Sequence, residues 1–182
     1  GGRAAFEPAV LAVAAEQPPG RAGRQCEGQV VHRRRIVLAV ALGQVLDEEG
    51  GRVQRLKSLI GSQPSARELV AAGKTPEQVR EIARLRGQAM KQLGITIDFA
   101  PVVDITAAAD GTVIGDRAWG DNAEVVTAYA GAYADGLRDA GVLPVLKHFP
   151  GHGHASGDSH KGGVVTPPLE QLETLDLIPY RS

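Results

Sequence analysis

Residues 147–160, KHFPGHGHASGDSH, carry four of the chain's five histidines together with Asp158. Imidazole both gives and takes a proton near neutral pH, and a nearby carboxylate orients the ring and raises its basicity. Asp158 and His160, two positions apart, therefore have the outline of an acid/base dyad. Glycines 151, 153 and 157 open backbone conformations closed to other residues, which lets such a loop fold closely around a ligand. His148, His152, His154, Asp158 and His160 are also the donors zinc prefers. Their spacing matches no familiar zinc motif, with no His-Glu-x-x-His helix, so a metal hydrolase is a lesser reading and no metal is expected. His152 and His154 read as structural or merely exposed loop histidines. Two further charged groups stand out: Asp47 with Arg52 and Arg55 just beyond, and Asp104 with Asp116 and Arg117 in the segment after it.

Each of these groups ends an apolar run. Residues 36–46 (IVLAVALGQVL) have the continuous, β-branched pattern of a strand buried on both faces and stop at the polar loop DEEGG. Ser65 with Glu68 and Thr75 with Gln78 have capping-box spacing, and Pro76 suits the first turn of a helix. A helix is predicted over 76–93, with Val79, Ile82, Ala83, Ala89, Met90 and Leu93 on one face and Gly94 as its left-handed stop. A strand (95–103), a loop (104–120) and a helix capped by Asp121 follow. That helix carries Val126, Tyr129, Tyr133, Leu137 and Ala140 at helical spacing and stops at Gly141. Residues 142–149 read as a third strand, and a last helix is predicted from about Pro167.

Strand alternating with helix is the pattern of a parallel sheet, and its commonest closed form is the eightfold βα barrel. An open doubly wound sheet is the alternative; no Gly-x-Gly-x-x-Gly or Walker loop follows any strand, which disfavours a nucleotide-binding version. In either form chemistry gathers at the carboxyl ends of strands, so the three charged groups should meet on one rim.

Composition narrows the field. A net charge of -1 leaves no electrostatic footprint for nucleic acid. No apolar stretch approaches the ~20 residues of a membrane-spanning helix. Cys26, the single cysteine, excludes an intramolecular disulfide framework and lacks the small apolar residues that precede a lipid-anchored cysteine. All of the lysines and aspartates lie beyond residue 40, where the composition shifts. The apolar run 8–15 is short for a signal peptide, so the opening reads as a solvated arm.

The segments DEEGGRVQR (47–55), GITIDFAPVVD (94–104), VIGDRAWG (113–120) and KHFPGHG with a later DSH (147–160) resemble family 3 glycoside hydrolases, in the β-N-acetylhexosaminidase branch that works on peptidoglycan fragments. The resemblance spans residues 46–182. It implies a barrel domain that removes terminal β-linked N-acetylglucosamine with retention, through a covalent glycosyl-enzyme intermediate. By motif, His160 matches that branch's acid/base and Asp158 its modulating partner. Asp47, Arg55, Arg117, Lys147 and His148 match the residues that hold the sugar hydroxyls. No cofactor is implied, and the partner is an N-acetylglucosamine-containing glycan.

Two departures shape the expectation. The family's nucleophile is an aspartate on a late barrel strand, well beyond the DSH loop, so the chain is read as a truncated (β/α)8 barrel, inactive alone, with Asp98 or Asp104 as the substitutes to test. A full barrel needs about 250 residues. An incomplete one, here residues 45–182, leaves an open parallel edge that invites self-association. Upstream, residues 1–44 form an irregular segment of doubtful register where the family's first strand belongs. A non-catalytic sugar-binding half-barrel is the second reading. Neither cytoplasm nor cell envelope is singled out.

Overall fold

The computed structural model describes residues 44–158 and 161–181. The expectations placed on residues 1–43, including the arm, Cys26 and the start of the first strand, lie outside them, as does His160.

Three short parallel strands form the sheet: β1 (Gln44–Leu46), β4 (Ile95–Asp98) and β5 (Leu143–Pro144), in the order β1-β4-β5. Val45 lies opposite Ile97, and Ile97 opposite Leu143. Helices return the chain between them, α3 (Pro76–Gln92) before β4 and α4 (Ala123–Asp139) before β5. The fold is thus α/β with strands alternating with helices, part of a barrel-type domain. Its strands are shorter than predicted. Beyond β4 the ladder gives way to one bridge, Val102 to Lys147, and isolated hydrogen bonds such as Val145 N to the Ala100 carbonyl; the Ala100–Pro101 bond is cis, and Pro101 and Pro144 have no N–H to offer a ladder. Lys147–His148 and Phe149–Pro150 are also cis.

The DEEGG segment differs from its reading as a loop. Glu48–Gly50 (β2) pairs antiparallel with Val53–Gln54 (β3), and Gly50 and Gly51 make the turn with φ of 97° and 55°. A Cβ on Gly51 would stand 2.6 Å from that of Ser65, so glycine is needed there for space as well as for its positive φ.

The caps behave largely as their spacing requires. Ser65 and Glu68 complete a capping box on α2 (Ala66–Ala71), Thr75 and Gln78 another on α3, and Gly94 and Gly141 take left-handed conformations after α3 and α4. On α4 the cap is Asn122, whose side chain accepts from Val125 N, and not Asp121, one residue earlier. A short turn, α1 (Lys57–Ile60), was not anticipated, and the last helix, α5 (Leu169–Thr174), begins after Pro168.

The core fills the space between helices and sheet with Val79, Ala83, Met90, Ile95, Val126, Tyr133, Leu137 and Val142. The two long helices meet at Gly87 and Gly136, where a Cβ at 136 would collide with the Arg80 carbonyl. Trp119, buried, stacks on Tyr129 at 6.0 Å between ring centroids and lies 5.7 Å from Tyr133. A polar knot locks β2 onto this core. Glu48, fully buried, accepts from Arg55 N at 2.7 Å and Leu56 N at 2.9 Å and is paired with Arg86. Its own N–H donates to Asp98 Oδ1 at 2.9 Å, and Tyr133 OH donates to its carbonyl at 3.2 Å. A buried carboxylate is tolerated only when its oxygens are paired in this way.

Candidate active site

Asp47 follows β1, Asp104 lies in the loop after β4, and Lys147 and His148 follow β5. All therefore stand at carboxyl ends of parallel strands, and the structure brings them together with Arg117. Lys147 Nζ donates to Asp47 Oδ1 at 2.6 Å and is ion-paired with Glu49. Arg117, in the 3-10 turn Gly115–Arg117, grips Glu49 as a fork, Nε to one carboxylate oxygen and Nη2 to the other, each at 2.8 Å. Such bidentate pairs are the strong ones.

His148 completes the array. Its Nδ1 lies 2.6 Å from Asp104 Oδ2 and its Nε2 3.2 Å from Arg117 Nη2. A carboxylate accepts and a guanidinium donates, so the arrangement assigns the proton of the neutral ring to Nδ1 and leaves Nε2 as acceptor. The other oxygen of Asp104 accepts from His152 N at 2.6 Å and from His148 N at 3.4 Å. One buried carboxylate thus orients the imidazole and anchors the glycine-rich loop. Farther along, His154 Nδ1 is 2.9 Å from Asp176 Oδ1, a second buried carboxylate, and Gly151 leaves the room Asp176 needs, since a Cβ there would stand 2.6 Å from its own.

Side-chain exposure rises from 6% for Glu49 through 14% for Lys147 and Arg117 to 32% for His148 and 36% for Asp47. Glu49 is the floor, and the others form a polar wall above it. Burial opposes the charge of Arg117. Hydrogen bonds to Glu49, that carboxylate's charge, and those of Asp104 and Asp47 outweigh it and raise the guanidinium pKa, so the group stays charged. Beneath the site, burial pushes the Asp98 carboxyl up to about 7, against the hydrogen bond from Glu48 N, and its Oδ2 is buried without a hydrogen-bond partner among the described residues.

The remaining predicted residues are placed differently. Arg55 is exposed, and among the described residues its guanidinium joins none of these contacts. Arg52 instead staples the hairpin to the loop, donating to the carbonyls of Thr112 and Ile114 at 2.6 and 3.0 Å and pairing with Asp116 at 3.1 Å. Asp158 is partly buried, its Oδ2 3.6 Å from Lys161 Nζ and its carbonyl accepting from Lys161 N at 2.9 Å. Asp98 and Asp104, the substitute nucleophiles, are 0% and 1% exposed, so neither is presented to a substrate. Among the described residues no three His, Cys, Asp or Glu side chains converge as metal ligands do, and no helix is long and apolar enough to cross a membrane.

Glu49, read only as part of the polar DEEGG loop, and Asp176 were not among the predicted site residues, and Asp104 was noted as a strand-end charge and a substitute nucleophile. The signal for Glu49 was present: in extended chain, alternate residues share a face, so Glu49 falls on the side of Asp47 while Glu48 points to the core.

The chain matches the description "Glycosyl hydrolase family 3 N terminal domain" over residues 21–182. It is 70% identical over 138 residues to the beta-hexosaminidase LpqI of Mycobacterium tuberculosis, an alignment covering 75% of this chain and 35% of that protein. Among solved structures it is similar to a glycosyl hydrolase family 3 member from Mycobacterium smegmatis, with 69% identity and a TM-score of 0.75 over 77% of this chain and 43% of that one. It is also similar to NagZ from Neisseria gonorrhoeae in complex with N-trifluoroacetyl-D-glucosamine, with 32% identity and a TM-score of 0.67 over 75% of this chain and 42% of that one. The chain spans less than half the length of each.

Proposed function

Since the chain belongs to glycosyl hydrolase family 3, as its N-terminal domain, we propose that it forms the sugar-binding and acid/base part of a retaining β-N-acetylhexosaminidase. The substrate is a terminal β-linked N-acetylglucosamine of peptidoglycan-type glycans. One observation carries the reading: Asp47 and Lys147, a hundred positions apart, meet at strand ends in one array with Arg117 and His148. These are four of the five residues that the family motifs assign to the sugar hydroxyls. The names of the relatives point to the same substrate class.

The array suits a neutral polyol. Its two cations are already matched by carboxylates, so it has little net attraction for an anionic ligand, while it still offers fixed donors and acceptors around the ring. Asp47 accepts, Lys147 and Arg117 donate, and Arg55, free of protein partners among the described residues, reaches for a further hydroxyl. His160, with Asp158 as its modulating partner, protonates the glycosidic oxygen as the bond breaks. It then takes a proton from the water that releases the sugar. A short loop is a sensible carrier for that group, because acid and base act on the same face of the sugar in turn. The attacking carboxylate is neither Asp98 nor Asp104, both being buried.

The test uses the complete polypeptide that carries this domain and aryl N-acetyl-β-glucosaminides whose leaving groups differ in acidity. His160→Ala and Asp158→Asn should cost most with the poorest leaving group and least with one that needs no protonation. Equal losses across the series would remove His160 from the acid/base role.

A further inference from the structure

We infer that Glu49 is a positioning residue: it holds Lys147 and Arg117 as a single array and so fixes where their remaining N–H groups meet the sugar. The inference rests on the proposed function and deepens it. Lys147 and Arg117 arrive from different parts of the chain, one after β5 and one in the loop after β4, and two cations brought side by side repel. Glu49 lies between them, 6% exposed, with one carboxylate oxygen shared by Arg117 Nη2 and Lys147 and the other taken by Arg117 Nε.

Counting donors shows what this achieves. Of the three N–H groups of Lys147, one goes to Asp47 and one to Glu49. Of the five of Arg117, two go to Glu49, one to His148 Nε2 and one to the Val113 carbonyl at 3.0 Å. Each cation keeps one N–H without a partner among the described residues. Its direction is set by the bonds around it, and Glu49 is the one group that supplies some of them to both side chains, one of two to Lys147 and two of four to Arg117. Asp47, at 36% exposure and paired among the described residues with Lys147 alone, cannot replace it.

The experiment compares Glu49→Gln, Glu49→Asp, Lys147→Ala and Arg117→Ala in the complete polypeptide by steady-state kinetics on an aryl N-acetyl-β-glucosaminide, with thermal melts to establish folding. Glutamine keeps the shape but turns a donor toward a cation. We expect KM to rise at least tenfold with kcat within threefold. Aspartate keeps the charge but is one methylene short, and should raise KM about threefold, between the parent and Glu49→Gln. A purely structural glutamate would lower the melting temperature and the amount of active enzyme without moving KM. The inference is overturned if both Glu49 variants keep KM within twofold of the parent, or if kcat falls while KM does not. Glu49→Asp decides alone should Glu49→Gln not fold. If Lys147→Ala and Arg117→Ala also leave KM unchanged, the sugar-site reading itself has failed; if they raise it and the Glu49 variants do not, only the role of Glu49 has.

Discussion

Replacing Asp104 by asparagine changes almost no volume and removes one charge, which makes it a sharp probe of the array. In the parent, Asp104 Oδ2 accepts from His148 Nδ1 and Oδ1 from His152 N, both at 2.6 Å. Asparagine has only one oxygen. If that oxygen serves His152 N, the amide N–H2 faces His148 and forces the ring to carry its proton on Nε2, against an Arg117 N–H 3.2 Å away. If it serves His148, the amide faces the backbone N–H of His152 and loosens the loop. Either way a charge-assisted hydrogen bond is lost and a donor is set against a donor. Such bonds contribute about 1.5–3 kcal/mol. At about 1.36 kcal/mol per decade, kcat/KM on an aryl N-acetyl-β-glucosaminide should fall roughly 10- to 150-fold. The companion measurement is 15N NMR of the imidazoles, which should report an Nδ1–H tautomer for His148 in the parent and its change or heterogeneity in Asp104→Asn. A loss under threefold, or an Nε2–H tautomer in the parent, would refute the orientation argument.

Other expected outcomes concern the frame beneath the site. The Asp98 carboxyl, raised by burial to about 7 from an ordinary 3.8, binds a proton more tightly folded than unfolded, so its contribution to stability is full below about pH 4 and is lost as pH rises to about 7. Asp98→Asn should remove that decline, on the order of a few kcal/mol, and melts at pH 5 and pH 8 should then differ less than in the parent; an unchanged difference would exclude Asp98 as its source. Gly136→Ala, which in an isolated helix would gain about 1 kcal/mol, should instead destabilise by about 1–3 kcal/mol in urea unfolding, because the new Cβ meets the Arg80 carbonyl across the helix pair. Ser65→Ala removes the side-chain acceptor from Glu68 N and should cost about 1 kcal/mol by the same measurement, with no effect on KM.

What could be read from the sequence, and what could not, divides along local and non-local lines. Helices α2 and α3 were legible because their signals are local: Ser65 with Glu68, Thr75 with Gln78, Pro76 at the first turn and Gly94 past the end all act within a few residues. Asp121 and Asn122 show the limit of that logic, since both suit the cap and only the backbone path decides between them. Strand lengths were overestimated because apolar, β-branched composition also suits segments such as 99–103, which run alongside residues 145–147 with only a bridge between them and no continuous ladder. The convergence of Asp47, Arg117, Lys147 and His148 was legible because parallel strands send their carboxyl ends to one rim. The side chains that organise them were harder to see. Glu49 and Glu48 are the same residue type side by side, and only the hairpin turns one to the site and the other into the core. Asp176 shows its role only through contact with His154, 22 positions away, and no pattern in a single sequence joins such a pair.

Trp119 has a practical consequence. It is the chain's sole tryptophan, buried two residues beyond Arg117, stacked on Tyr129 and beside the tilted ring of Tyr133, both on α4. Its emission therefore comes from one place, the junction where the loop carrying Arg117 settles on the long helix. Emission at short wavelength, fed by energy transfer from Tyr129 and Tyr133, signals that junction closed, and a red shift signals water reaching it. The domain thus contains an intrinsic optical reporter of whether the loop that carries Arg117 is seated, which requires neither label nor substrate.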